Sequence, residues 1–172
     1  MKKNNRNLLI LTLIAVAVTL LFNSLIAVYK IKGNSMSDYF TEGQYVFCLK
    51  KNFLLNFHTG NKIVFKVLDS NGKNQMLIKE TIGVPGDIIK EIRQDSCYWI
   101  QIIGKNGQKK TIALDKNQPC GTILPNWPIQ IVEYSLDKEY FVLGSNHEKS
   151  VDSRSFGPIK QASLLAKVLF SY

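Results

Sequence analysis

Cysteine and histidine are scarce and scattered. The 172 residues hold three cysteines and two histidines, too few for a disulfide-dense scaffold, and the odd count leaves at least one thiol unpaired within the chain. Cys48, Cys97 and Cys120 stand far apart, and neither His58 nor His147 flanks one of them closely. That spacing does not fit a zinc site, and neither a metal nor a cofactor is expected. Acidic side chains are also in deficit: 13 Asp+Glu face 22 Lys+Arg, a net charge of +9. A content of 45% hydrophobic against 20% charged residues excludes long disorder. The length suits one compact domain with an appendage rather than two full domains.

The apolar residues are unevenly spread. From Leu8 to Tyr29 the chain reads LLILTLIAVAVTLLFNSLIAVY without a charge. At ~1.5 Å per residue such a helix crosses a hydrocarbon core of ~30 Å. Lys2, Lys3 and Arg6 precede it, and Lys30 and Lys32 follow. The basic excess ahead of the span favours an inside amino terminus. The expected organisation is a basic cytoplasmic tail (1–7), a membrane anchor (8–29) and an extracytoplasmic domain (30–172). A cleaved secretory signal is the rival, but it needs a shorter apolar region and a small-residue exit, and Ala27-Val28-Tyr29-Lys30 is a poor one. Under either reading residues 30–172 are exported and keep 9 − 3 = +6 of the charge.

Beyond the anchor, short apolar or alternating runs replace helical periodicity: Tyr45–Leu49, Lys62–Leu68, Met76–Ile82, Asp87–Ile92, Tyr98–Ile103, Lys110–Leu114, Ile129–Tyr134 and Tyr140–Leu143. Turn signals separate them at Thr59-Gly60-Asn61, Ser70-Asn71-Gly72, Pro85-Gly86-Asp87 and Asn106-Gly107. Asn106-Gly107 predicts a hairpin, since both residues accept positive φ. Gln161–Tyr172 is open between a terminal helix and a last strand. The fold class is therefore mainly β, an antiparallel sheet domain preceded by one transmembrane helix.

Three segments carry chemistry. Gly33-Asn34-Ser35-Met36 places a serine among small residues, where its hydroxyl and backbone N–H can both face a substrate; most such stretches are plain turns. Lys79 sits inside the apolar strand-like run Leu77–Ile82, where a charge is costly unless paired or neutralised. Glu80 points to the opposite face of a strand and is a poor partner. Desolvation lowers a lysine pKa, and a neutral lysine takes a serine proton; the competing reading is a snorkelling edge-strand lysine. The third segment, Tyr140 to Pro158, leads from a strand into a polar loop in which Asp152 and Arg154 are close enough to pair and brace it, or to form only a weak surface ion pair.

In order, separation and context these segments resemble the type I signal peptidases, the Ser–Lys proteases that cleave secretory leader peptides. The resemblance runs from about Gly33 to Pro158. It rests on Ser35-Met36, on Lys79 with Ile82-Gly83-x-Pro85-Gly86-Asp87, and on Gly144-x-Asn146 with Ser150-x-Asp152-Ser153-Arg154-x-Phe156-Gly157-Pro158. It implies a mostly β catalytic domain, Ser35 as nucleophile with its backbone N–H in the oxyanion hole, and Lys79 as general base and then acid. Ser150 would hold the lysine amine in register, and Asp152 with Arg154 would form a structural ion pair. Where some members carry a hydroxyl two residues before the nucleophile, Gly33 stands here. An apolar surface is expected to rest on the bilayer, with Asn52–Phe57 the candidate and a buried strand the alternative.

The chain departs from the family at Asp38 (usually proline), Gln44 (acidic), Asn61 and Ser145 (aspartate), and Glu80 and His147 (arginine), which suggests a divergent member with narrow or weakened turnover. The expected partners are exported preproteins and the lipid bilayer, with no nucleic acid. Two other functions stay open: a non-catalytic accessory that binds pilin precursors, and a conjugation-linked enzyme that matures a pilin. Retention of both Ser35 and Lys79 favours catalysis. Cys97 and Cys120 are candidates for a bridge, and Cys48 reads as a buried free thiol.

Overall fold

The computed structural model describes residues 2–51, 56–68, 72–94, 97–113 and 133–172. Helix α1 (Lys2–Leu25) contains a stretch, Arg6–Leu25, long and apolar enough to cross a membrane. Its few hydroxyls are turned back on the helix: Thr12 donates to the Leu8 carbonyl, Thr19 to Ala15 and Ser24 to Leu21, at 2.9, 2.9 and 2.7 Å. Such bonds satisfy polar groups that lipid cannot.

The helix stops four residues short of the expected anchor boundary. Ile26–Tyr29 belong to strand β1 (Ile26–Lys30), paired from Ile26↔Leu49 to Lys30↔Tyr45 with β2 (Tyr45–Lys50). The apolar run thus serves two elements. Once sheet pairing supplies the backbone bonds, β-branched and aromatic residues extend readily. The last turn of α1 holds no basic residue; instead Lys50 Nζ, from β2, donates to the Asn23 carbonyl at 2.6 Å, supplying the cation that the helix C-terminus favours.

The other strands are β3 (Lys62–Leu68), β4 (Asn74–Gly83), β5 (Ile88–Gln94), β6 (Cys97–Ile103), β7 (Lys109–Ala113), β8 (Tyr134–Ser135), β9 (Glu139–Leu143), β10 (Ile159–Lys160) and β11 (Leu164–Ser171), with a short helix α2 (Ser153–Phe156) before β10. They form a seven-stranded sheet in the order β1-β2-β11-β3-β4-β9-β10 and a four-stranded sheet β7-β6-β5-β8, antiparallel throughout. The mainly antiparallel β class is therefore correct. Asn106-Gly107 turns the β6–β7 hairpin, Gly107 at φ 75°. The segment open between helix and strand is a single 3-10 turn (Gln161–Ser163) and then β11, seated between β2 and β3. Of the strand expected at Ile129–Tyr134, only its last two residues are described, Tyr134 opening β8.

Ile82, Phe141 and Leu143 from the large sheet pack against Ile89, Ile100 and Ile102 from the small one, with Leu136 between. A second cluster lies under the nucleophile segment: Ile31, Met36, Phe40, Val46, Cys48, Val64 and Ala166. Cys48 is the buried free thiol expected, burial pushing its pKa up to about 12; the Cys97–Cys120 bridge lies outside the described side chains. Residues 52–55 are likewise outside, and Phe57 does not face lipid. It is 5% exposed and packs edge-on against Tyr140 at 6.0 Å, because the chain re-enters the core just before β3. Exposed apolar side chains at this end of the sheet include Val28 on β1 and Leu169 and Phe170 on β11, the last stacked on Phe47 at 4.8 Å.

Candidate active site

Ser35 lies in a turn between β1 and β2. Gly33 enters it at φ 78°, a conformation that side chains disfavour, with its N–H donating to Glu42 Oε1 at 3.2 Å. Met36, 3% exposed, is the peg that fastens the turn to the core; its carbonyl accepts from the N–H groups of Tyr39 and Phe40 at 3.0 and 2.8 Å. The loop after β9 clamps the same turn from across the domain. Asn146 N–H donates to the Ser35 carbonyl at 3.2 Å, and Asp38 N–H donates to Ser145 Oγ at 3.2 Å.

Lys79 projects from the middle of β4, opposite Ile63 of β3. It is 2% exposed, and its Nζ meets Ser35 Oγ at 2.5 Å. Burial lowers its pKa to about 8; the nearby Asp152 carboxylate pulls the other way and the Arg154 guanidinium adds to the fall. Snorkelling is excluded by the burial. Glu80, as expected from strand alternation, turns away from Lys79, lying 3.8 Å from Lys62 Nζ.

Asp152 is fully buried and caps α2. It accepts from Gly144 N–H at 2.9 Å, from Arg154 N–H at 3.2 Å, and from Arg154 Nε and Nη2 at 2.8 and 2.9 Å. Arg154 Nη2 also donates to the carbonyls of His147 and Ser150 at 2.7 and 3.4 Å. The expected brace is real: a buried two-pronged ion pair closes the loop on itself. Among the described residues the hydroxyl of Ser150 has no hydrogen-bond partner, so the tie to the lysine amine that the resemblance implies is absent in this structure. Ser150 packs instead against Gly144, where an added Cβ would lie 2.6 Å from Ser150 Cβ and 2.5 Å from the Ser35 carbonyl oxygen. Gly144→Ala must therefore displace the Ser35 turn. We expect it to slow phosphonylation of the Ser35 hydroxyl by a phosphonofluoridate, in which Oγ displaces fluoride from phosphorus, about 100-fold, the order of loss from ångström-scale misplacement.

The Ile82–Asp87 motif is structural. Gly86 turns at φ 92°, Asp87 Oδ2 accepts from Val84 N–H at 2.9 Å, and Gly83 leaves room for Leu136 and Ile89. The sequence carries no local sign of the clamp by Ser145, which stands out there only as a departure from a family pattern.

The arrangement pairs a hydroxyl with an amine that is partly neutral near pH 8. In the neutral state the same contact runs as Ser35 O–H donating to Nζ, the geometry of a nucleophile with its base.

The profile of the family described as "Signal peptidase, peptidase S26" matches residues 5–172. Signal peptidase IB of Staphylococcus aureus (strain COL) is 30% identical over 171 residues, covering 92% of this chain and 85% of that protein. Signal peptidase I of Bacillus amyloliquefaciens is 30% identical over 149 residues, covering 83% and 74%. Among solved structures, a signal peptidase I from Enterococcus faecalis V583 aligns with a TM-score of 0.43 and 28% identity over 67% of this chain and 98% of that one.

Proposed function

The chain belongs to the S26 signal peptidase family, and from that premise we propose that it is a membrane-anchored serine endopeptidase removing signal peptides from exported proteins with Ser35 and Lys79 as a catalytic dyad. Family membership supports signal-peptide removal by a serine protease; the observation that carries the finer reading is the buried Lys79 amine 2.5 Å from Ser35 Oγ. Neutral Lys79 takes the hydroxyl proton as Oγ attacks the scissile carbonyl. The ammonium so formed gives that proton to the departing amine, leaving an acyl-enzyme. Water then attacks the ester, its proton passing to Lys79 and on to Ser35 Oγ. The Ser35 N–H stabilises the oxyanion, and Gly33 offers no side chain to assist.

Among the described residues β1 is the outermost strand of its sheet, and its chain leads directly to the Ser35 turn. An open edge of this kind accepts an extended peptide by strand addition. Helix α1 anchors the enzyme, with Lys2, Lys3 and Arg6 on the cytoplasmic side and the β domain outside, and the exposed Val28, Leu169 and Phe170 meet the bilayer beside the helix.

The test is a pH profile of leader-peptide cleavage by the full chain in detergent micelles. Activity requires the unprotonated amine, so kcat/KM should rise with pH to a half-maximum near 8, following the lowered pKa of Lys79, and be poor in acid. A rate flat from pH 5 to 9 would exclude a lysine base.

A further inference from the structure

The antiparallel steps from β1 through β2, β11 and β3 to β4 return β4 to the sense of β1. Strand β1 leaves the end of α1 and leads to Ser35, so β4 also runs away from the bilayer and carries Lys79 on its way. A leader lying in the membrane reaches the dyad along these strands, and the residues after the scissile bond leave on the far side. At about 3.3 Å per residue, Ile82 and Val84 stand about 10 and 17 Å beyond Lys79, the reach of about three to five extended residues. An open pocket of about 730 Å³ lies there, between the end of β4 and the β6–β7 hairpin. Ile82 and Val84 line it together with Ile102 and three exposed lysines, Lys105, Lys109 and Lys110.

Among the described residues none of these three lysines has an ion pair. The carboxylate in the lining, Asp87, is 6% exposed and accepts from Val84 N–H at 2.9 Å, so it is turned away from the opening. Lys109 and Lys110 begin β7, the outermost strand of the small sheet among the described residues, where lysines also deter edge pairing. That account does not cover Lys105. It stands off the strand, and its arm is laid across the Gly86 turn: a Cβ on Gly86 would fall 1.8 Å from Lys105 Cε and 2.8 Å from its Nζ. Ammonium groups gathered at one opening draw anions to it. Resting on the anchored-dyad reading above, we propose that Lys105, Lys109 and Lys110 form a binding site for acidic side chains at about the third to fifth residues after the cut, so that the enzyme favours exported substrates whose mature segment begins acidic. The site selects among precursors and leaves the bond-breaking chemistry to Ser35 and Lys79.

The test uses the full chain in uncharged detergent micelles and leader peptides that differ only after the cut, with Asp, Asn or Lys at the third and fourth residues. The ratio of kcat/KM for the Asp peptide to that for the Asn peptide, taken within one enzyme, cancels any general loss of activity. In the wild type at low salt it should be about 5 to 10, because several exposed charge pairs, each weak alone, act together. The difference should lie mainly in KM, as expected of binding shared by ground and transition states, and should fall below about twofold in ~0.5 M salt, where exposed charges are screened. Lys105→Gln with Lys110→Gln should bring the ratio near one, and Lys105→Glu with Lys110→Glu should invert it and favour the Lys peptide. If the glutamate variant does not fold, the glutamine variant decides, since it changes only exposed side chains. A wild-type ratio within about twofold of one at low salt overturns the inference, as does a ratio that the charge-reversed variant keeps. Polyphosphate that binds the wild type and not the variant, with no preference among peptides, also overturns it and assigns the pocket to an anionic polymer. Fluorescence anisotropy of the same labelled peptides on Ser35→Ala reads the pocket without turnover. A wild-type chain that cleaves none of the peptides would defeat the proteolytic reading alone, and the Asp-to-Asn affinity ratio on Ser35→Ala would then decide this one.

Discussion

Lys79→Met should give a protein that is inactive and more stable. Loss of the base, like loss of the hydroxyl in Ser35→Ala, is expected to lower leader-peptide cleavage by about 10⁴-fold or more, the scale on which serine-protease machinery fails when one member is removed. Lys79→Arg should fail equally, because a guanidinium does not give up its proton at usable pH. The stability gain follows from the same burial. A fall in pKa from 10.5 to about 8, at ~1.36 kcal/mol per pH unit, means that the fold carries a penalty of about 3 kcal/mol for the charged amine. Below about pH 8 the amine is protonated in both folded and unfolded chains, and the whole penalty is present. Between about 8 and 10.5 the unfolded chain holds more protons than the folded one, so wild-type stability rises with pH; above that range the penalty is gone. Thermal unfolding in micelles at pH 7 and pH 10 should show the methionine variant well ahead at the first and much less so at the second. A methionine variant less stable than wild type at pH 7 would mean that the amine is not held in a dry site.

Much of this was legible in the sequence where chemistry and local pattern coincide. A lysine in the middle of an apolar strand costs free energy unless it is paired or neutralised, but that conflict alone fits a snorkelling lysine equally well, and it was the ordered set of motifs resembling a family that singled out Lys79. Asp152 and Arg154 lie two residues apart, close enough for their pairing to be read directly. The anchor boundary was not legible, because Ile26-Ala27-Val28-Tyr29 is as apolar as a helix interior and as extended-prone as a strand; only β2, some twenty residues on, decides between them. Phe57 was open between lipid and core for a related reason, since apolar side chains suit both alike. The clamps on the Ser35 turn were hidden by distance. Ser145 reaches Asp38 across 107 residues, and no periodicity encodes such a pairing. The Ser150 contact was carried over from a family pattern, and here the hydroxyl stays unpartnered beside Gly144.

The buried pair beside Lys79 yields the second large effect, with a direction that distinguishes electrostatics from scaffolding. Asp152→Ala leaves the Arg154 guanidinium without its carboxylate and the Gly144 N–H without its acceptor. Breaking a buried pair from one side costs about 3–5 kcal/mol, and thermal unfolding should report it. The surviving charge also acts on Lys79. Asp152 raises the lysine pKa and Arg154 lowers it, so removing the carboxylate should move the midpoint of the cleavage profile below 8. Arg154→Met does comparable damage to the loop but leaves the carboxylate unopposed, and its midpoint should move above 8, with activity at neutral pH reduced as more of the amine stays protonated. Asp152→Asn retains some hydrogen bonding to the loop and should be less destabilised while still shifting the midpoint down. Opposite shifts from two variants of similar instability cannot come from loosened packing, which has no sign. Midpoints that move together, or not at all, would assign the pair to the scaffold and leave burial alone to tune the base.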